Sequence, residues 1–193
     1  MPFIEDEHTR AKLMKAGFGR GFPFWAAAVA LQAERLVDLL RRYEGEFPVP
    51  FTVSGQHRFT AWHVQALADV HYLLLGVRHI LRYAREFKRL IGNVDPRLGV
   101  AINTFMTGCG KQAETFRGVL EHWDEYSLGD KKLPREMTRP PDEFAGQVQV
   151  IPRDDELYIS YAGIEFPAVE LITDTLQLAE ALELSWSESI TAP

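Results

Sequence analysis

Two apolar seams, each long enough for a helix of about 30 residues, are separated by a short helix-breaking stretch, and this constrains the chain most. The first runs from about 61 to 91. Leu67, Val70, Leu74, Val77, Leu81, Ala84 and Ile91 recur there at steps of three and four, the spacing of one helical face. Thr60 stands where an N-cap belongs. The second seam, about 96 to 126, carries Leu98, Ile102, Phe105, Cys109, Ala113, Phe116, Leu120 and Trp123. Gly92-Asn93 ends the first helix, and Asp95-Pro96 starts the second as cap and first helical residue. So short a turn forces the two rods antiparallel, as an αα-hairpin. Thr107, Gly108, Cys109 and Gly110 make the middle of the second rod thin and permit close approach of a neighbour.

The flanking segments complete a mainly α architecture. Residues 1–24 read as an irregular N-terminal arm. Its spaced glycines, Gly17, Gly19 and Gly21, lack the strand before and the Lys-Ser pair after that a phosphate loop requires. Trp25, Val29, Leu36, Leu40 and Tyr43 predict a helix over 25–44, and Gly45 stops it. Two prolines and Ser54-Gly55 make 45–59 a connector. Residues 127–146, with Gly129, Pro134, Pro140, Pro141 and Gly146, form a linker. The period then changes to two at Val148 and Val150, and again at Leu157, Ile159 and Tyr161, which predicts a β-hairpin. Pro167 opens a last helix to about 184, with Val169, Ile172, Leu176, Ala179 and Leu182 inward. The expectation is a single domain over 1–193: a helical bundle core at 25–126, and a small C-terminal β-hairpin plus final helix at 147–184. A two-stranded ribbon is marginal alone in water, so it docks on the bundle.

Composition narrows the function classes. A formal charge of -6 in 193 residues argues against broad electrostatic adhesion to nucleic acid, while leaving room for a local basic patch. One cysteine excludes an intramolecular disulfide framework and a multi-Cys zinc site. No apolar run is long enough to span a bilayer, so no membrane contact is expected. The acidic start, MPFIEDEHTR, has no signal-peptide core, which places the chain in a reducing cytoplasm.

Two groups of residues are candidates for chemistry. On a helix of about 100° per residue, Phe116, Val119, Leu120 and Trp123 face the core, and Arg117 and His122 occupy the shoulders of the outward face. Gly118 between them leaves a notch. A guanidinium is a permanent bidentate phosphate partner, and an imidazole titrates near neutrality. The same pair is also compatible with an ordinary ion-paired surface, with Glu114 and Glu121 one turn from Arg117. The second group is a basic stripe. His71, Arg78, Arg82, Arg85 and Arg89 fall within about 60° of each other on the helix. They suit RNA phosphates, or a solvated face partly neutralised by Glu86. His63, His71 and His79 recur every eight residues and fan around the helix, so they do not converge on a metal. Asp124 and Glu125 have no recognised ligand spacing with His122. Cys109, on the buried seam, is expected to be a packed thiol.

The motif Arg117-x4-His122, in the context Leu120-Glu121-His122-Trp123-Asp124-Glu125-Tyr126, resembles the Arg-x(4–6)-His motif of HEPN-type domains. Those are α-helical bundles that carry the motif on a long helix. In catalytic members two copies meet across a dimer interface and cleave RNA without a metal. The resemblance implies a homodimeric endoribonuclease of a toxin or defence system, acting without a cofactor, with RNA and an antitoxin-like protein as partners. His122 would then be general acid/base, and Arg117 would stabilise charge on the phosphate. Many active members carry a polar residue, often Asn, after the arginine, where this chain has Gly118. That difference and the net acidity motivate the alternative: a non-catalytic HEPN-like module that binds a nucleotide, a nucleic acid or a protein.

Overall fold

The α-helical hairpin expected from the seams organises the computed structural model, which describes residues 18–43, 50–53, 57–91, 96–121, 149–153, 156–161 and 164–190. The elements are α1 (Phe18–Tyr43), β1 (Pro50–Val53), β2 (His57–Thr60), α2 (Ala61–Ile91), α3 (Pro96–Thr107), α4 (Gly110–Glu121), β3 (Gln149–Arg153), β4 (Glu156–Tyr161), β5 (Ile164–Pro167) and α5 (Ala168–Ile190). Val70, Leu74, Val77, Leu81 and Ala84 of the first seam are buried, as are Leu98, Ile102, Phe105, Cys109, Ala113 and Phe116 of the second. Arg85 reaches Met106 and Glu114, and Arg78 shares a cleft with Arg117. Residue numbers thus fall along α2 as they rise along α3–α4, the antiparallel arrangement the short turn demands.

The second rod is one seam but two helices. Thr107 turns its hydroxyl back onto the Asn103 and Thr104 carbonyls, both at 3.0 Å, a local competitor of helical hydrogen bonding. Beside it, a Cβ on Gly108 would lie 2.5 Å from the Asp174 carboxylate of α5, and one on Gly110 would strike the Phe105 ring. The break therefore requires glycine on both sides of Cys109. The Cys109 backbone N–H donates to Asp174, which tethers the joint to α5.

Helix α1 begins at Phe18, earlier than the expected residue 25, and contains Pro23. Phe22 is part of the core, and Tyr83 of α2 lies so close over Gly21 that a side chain there would collide with its hydroxyl. This packing outweighs the cost of a proline whose ring stays exposed. Helices α1 and α2 run antiparallel: Gly21 meets Tyr83, Val29 meets Gly76, and Arg35 bonds Asp69. The connector between them contains a hairpin, β1 paired with β2 from Pro50↔Thr60 to Val53↔His57.

The C-terminal sheet has three antiparallel strands in the order β3-β4-β5, where the alternation predicts two. The extra strand, Ile164–Pro167, buries Ile164 and Phe166 and exposes Glu165. Pro167 ends that strand, and α5 begins at Ala168. Helix α5 continues to Ile190, past the expected end near 184, because Trp186 is buried edge-on against Phe87 at 6.0 Å. Its inward face is Ala168, Leu171, Leu178, Ala179, Leu182 and Trp186. Val169, expected inward, is exposed. The sheet docks through Phe166, whose ring meets Phe116 of α4 at 5.8 Å and 81°. It thereby holds the inner side of the helix whose next residue is Arg117. The 127–146 linker lies outside the described residues.

Candidate functional site

Helices α2 and α4 stand apart above their common apolar seam and leave a cleft of about 260 Å³. Leu74, Val77, Leu81 and Ala113 supply its aliphatic lining, and Arg78, Glu114 and Arg117 supply its charge. Gly118 also lines it, and a Cβ built there meets nothing within 4 Å. The notch expected at Gly118 is real space. Arg117 is half-buried at the edge of this cleft. His122, the expected acid/base, lies outside the described residues, as do Asp124 and Glu125.

The basic stripe is exposed along α2, and the structure divides it. Arg78 joins Arg117 at the cleft. Arg85 holds both oxygens of Glu114 across the helix pair, at 2.5 and 3.1 Å, and approaches the Met106 sulfur at 3.3 Å. Arg89 is bonded to Glu86 on its own helix and holds that carboxyl below the usual carboxylate range. Arg82 and His71 are exposed, His71 lying edge-on to Tyr72 at 6.2 Å. Sequence spacing singled out Glu114 as a neighbour of Arg117. It missed the grip of Arg85, which comes from 29 residues away and has no local signature.

His79 lies on the opposite flank of α2. Its ring stacks on Trp25 at 4.0 Å and 6°. Burial, followed by the nearby charges of Arg78 and Arg82, holds its pKa below the ordinary histidine value. At the α3–α4 joint, burial and then Glu170 and Asp174 push the Cys109 thiol up to about 12. That is the opposite of what a nucleophilic cysteine needs. Asp174 itself is raised, by burial and then by Glu170. Among the described residues no three His, Cys, Asp or Glu side chains gather as a metal site, and no helix is long and apolar enough to cross a membrane.

The cleft can take an anionic group between guanidiniums from two helices, with aliphatic surface beneath it. Of its lining on α2, Arg78 was legible as part of the basic stripe, and Leu74, Val77 and Leu81 only as core. On α4, Glu114, Arg117 and Gly118 were singled out by spacing, while Gly110 was legible only as a thin place and Ala113 only as part of the seam. No family model, no curated protein and no solved structure matches this chain.

Proposed function

We propose that the chain is a HEPN-like binding module for nucleic acid, with a phosphate group seated at the α2–α4 cleft. The observation that carries this reading is the convergence of Arg78 and Arg117, from helices distant in sequence, on one opening beside the empty space at Gly118. Arg85 supports it by occupying the Glu114 carboxylate, the one acidic group that lines the cleft among the described residues. The exposed Arg82 and His71 extend the positive face beyond the opening. Such contacts position a strand without reading its sequence. Fluorescence anisotropy with labelled RNA at two salt concentrations tests the reading. Arg78→Ala and Arg117→Ala are each expected to weaken binding by about tenfold and to flatten the salt dependence. RNA affinity unchanged in both variants rejects it.

A second reading, metal-independent RNA cleavage by a homodimer in a toxin or defence setting, is favoured by the position of Arg117 at an open cleft edge. Incubation of total RNA in EDTA tests it directly. Equal cleavage by wild type and His122→Ala sinks the nuclease reading and leaves the binding module standing.

A further inference from the structure

The border between α1 and α2 carries an arrangement that the cleft does not explain. Phe24 is 63% exposed and Tyr72 58% exposed, two large rings left in water on neighbouring helices. Phe24 meets Trp25 edge-on at 5.2 Å and 82°. Trp25 in turn lies flat on His79. Tyr72 stands edge-on to His71. The antiparallel register that joins Trp25 to His79 and Arg35 to Asp69 places Phe24 about 12 Å along the helix axis from Tyr72, at about 1.5 Å per residue.

Passing around α2 at about 100° per residue, Arg78, His71 and Arg82 come first from the cleft side, and His79 and Tyr72 follow on the α1 side. Aromatic rings therefore border the positive stripe on one flank, and Arg117 borders it on the other. A positive track beside exposed aromatic faces is how single strands are held without sequence readout, because every base has a π-face. In a duplex the bases are stacked on each other and cannot reach such rings. Charge complementarity selects this occupant: an apolar partner face would bury the exposed Arg82 and His71 against nothing of opposite charge.

We infer that Phe24 and Tyr72 form a stacking platform for unpaired nucleobases, with the strand's phosphates running over His71, Arg78 and Arg82 toward Arg117. The inference rests on the nucleic-acid reading above and adds strand state and base contact to it. Because His79 is held below its ordinary pKa by burial and by its arginine neighbours, its stack on Trp25 stays uncharged at neutral pH.

The test uses the full chain and a labelled single-stranded RNA of about 12 nucleotides, within the ~4–16 range of single-strand sites. The same RNA as a duplex and inorganic polyphosphate serve as competitors. The single strand is expected to bind at least about tenfold more tightly than the duplex, and Phe24→Ala and Tyr72→Ala each to weaken it about fivefold to tenfold. Both variants are expected to retain wild-type affinity for polyphosphate, and Tyr72→Phe to bind RNA as wild type does. Thermal melts by circular dichroism verify that these surface variants remain folded. If Phe24→Ala and Tyr72→Ala bind RNA normally while Arg117→Ala does not, the platform is wrong and the phosphate site stands. Equal affinity for single strand and duplex also overturns the platform. If Phe24→Ala changes only self-association on a sizing column, the patch belongs to a second copy of the chain. If wild type binds no RNA at low salt, the nucleic-acid reading fails and the platform with it.

Discussion

Helix α2 has two flanks, and glycine serves opposite ends on them. Toward α1, a Cβ on Gly76 would lie 2.7 Å from a methyl group of Val29, so its absence lets two helices close. On α4, which faces the other flank, a Cβ on Gly118 would meet nothing within 4 Å, so its absence leaves a space open. The ion pairs divide in the same way. Arg35 reaches Asp69, which is only 1% exposed, with a bond of 2.6 Å. Arg85 and Glu114 are both 45% exposed. One flank is sealed around a buried charge, and the other is a wetted opening spanned by a surface pair. A residue type therefore has no fixed meaning on a helix. The neighbour across the gap decides whether it closes a structure or admits a ligand.

The largest expected effect tests what supports the open flank. If the sheet holds α4 through Phe166, Phe116→Ala destabilises the protein by about 3–5 kcal/mol. Urea denaturation followed by circular dichroism reads this directly, and a loss below about 1 kcal/mol would mean that α4 does not depend on the sheet. Next, Arg35→Ala leaves the Asp69 carboxylate buried without its partner. Breaking a buried pair costs about 3–5 kcal/mol, and the half-exposed arginine reduces the expectation to about 2 kcal/mol. Arg85→Ala on the open flank is expected to cost under about 1 kcal/mol. Equal losses in these two variants would erase the contrast.

The glycines give a smaller effect with opposite signs. Gly76→Ala is expected to destabilise by about 1 kcal/mol, since overpacking exceeds the gain in helix propensity. Gly118→Ala is expected to stabilise by up to about 1 kcal/mol while weakening RNA binding. The smallest effect is in pH. A histidine with a depressed folded-state pKa contributes stability that is full above the unfolded value of 6.5 and is lost as pH falls through the folded value. Melting temperatures should therefore decline on acidification below about 6.5, and His79→Gln should shrink that slope.

The helical hairpin was legible because its rods repeat one apolar face over many turns, and Val70, Leu74, Val77 and Leu81 are buried as their spacing requires. Local rules failed where a distant group intervened. Thr107 to Gly110 reads as a thin place in one helix. Asp174, far along the chain, completes the joint by taking the Cys109 N–H and the space beside Gly108. Ile164-Glu165-Phe166 is too short to announce a strand, and Pro167 after it mimics a helix start. Val169 and Leu171 are equally apolar, so the face that α5 turns inward depends on the sheet before it. At the site, spacing singled out Arg117 and the stripe as outward-facing. Packing of the two rods would let the stripe border the Arg117 face, but spacing could not show that Arg78 is the stripe residue lining the opening, or that Arg85 is occupied by Glu114.

The joint at Cys109 interrupts the rod without resetting it. The Gly108 N–H still donates to the Thr104 carbonyl, and the Ala113 N–H to that of Cys109. Phe105, Cys109, Ala113 and Phe116 are all buried, so the apolar face keeps its step from one helix into the next. Because each residue turns a helix by about 100°, an insertion or deletion in α3 would carry Arg117 away from Arg78, and the geometry of the cleft is tied to the exact length of a segment that never touches it.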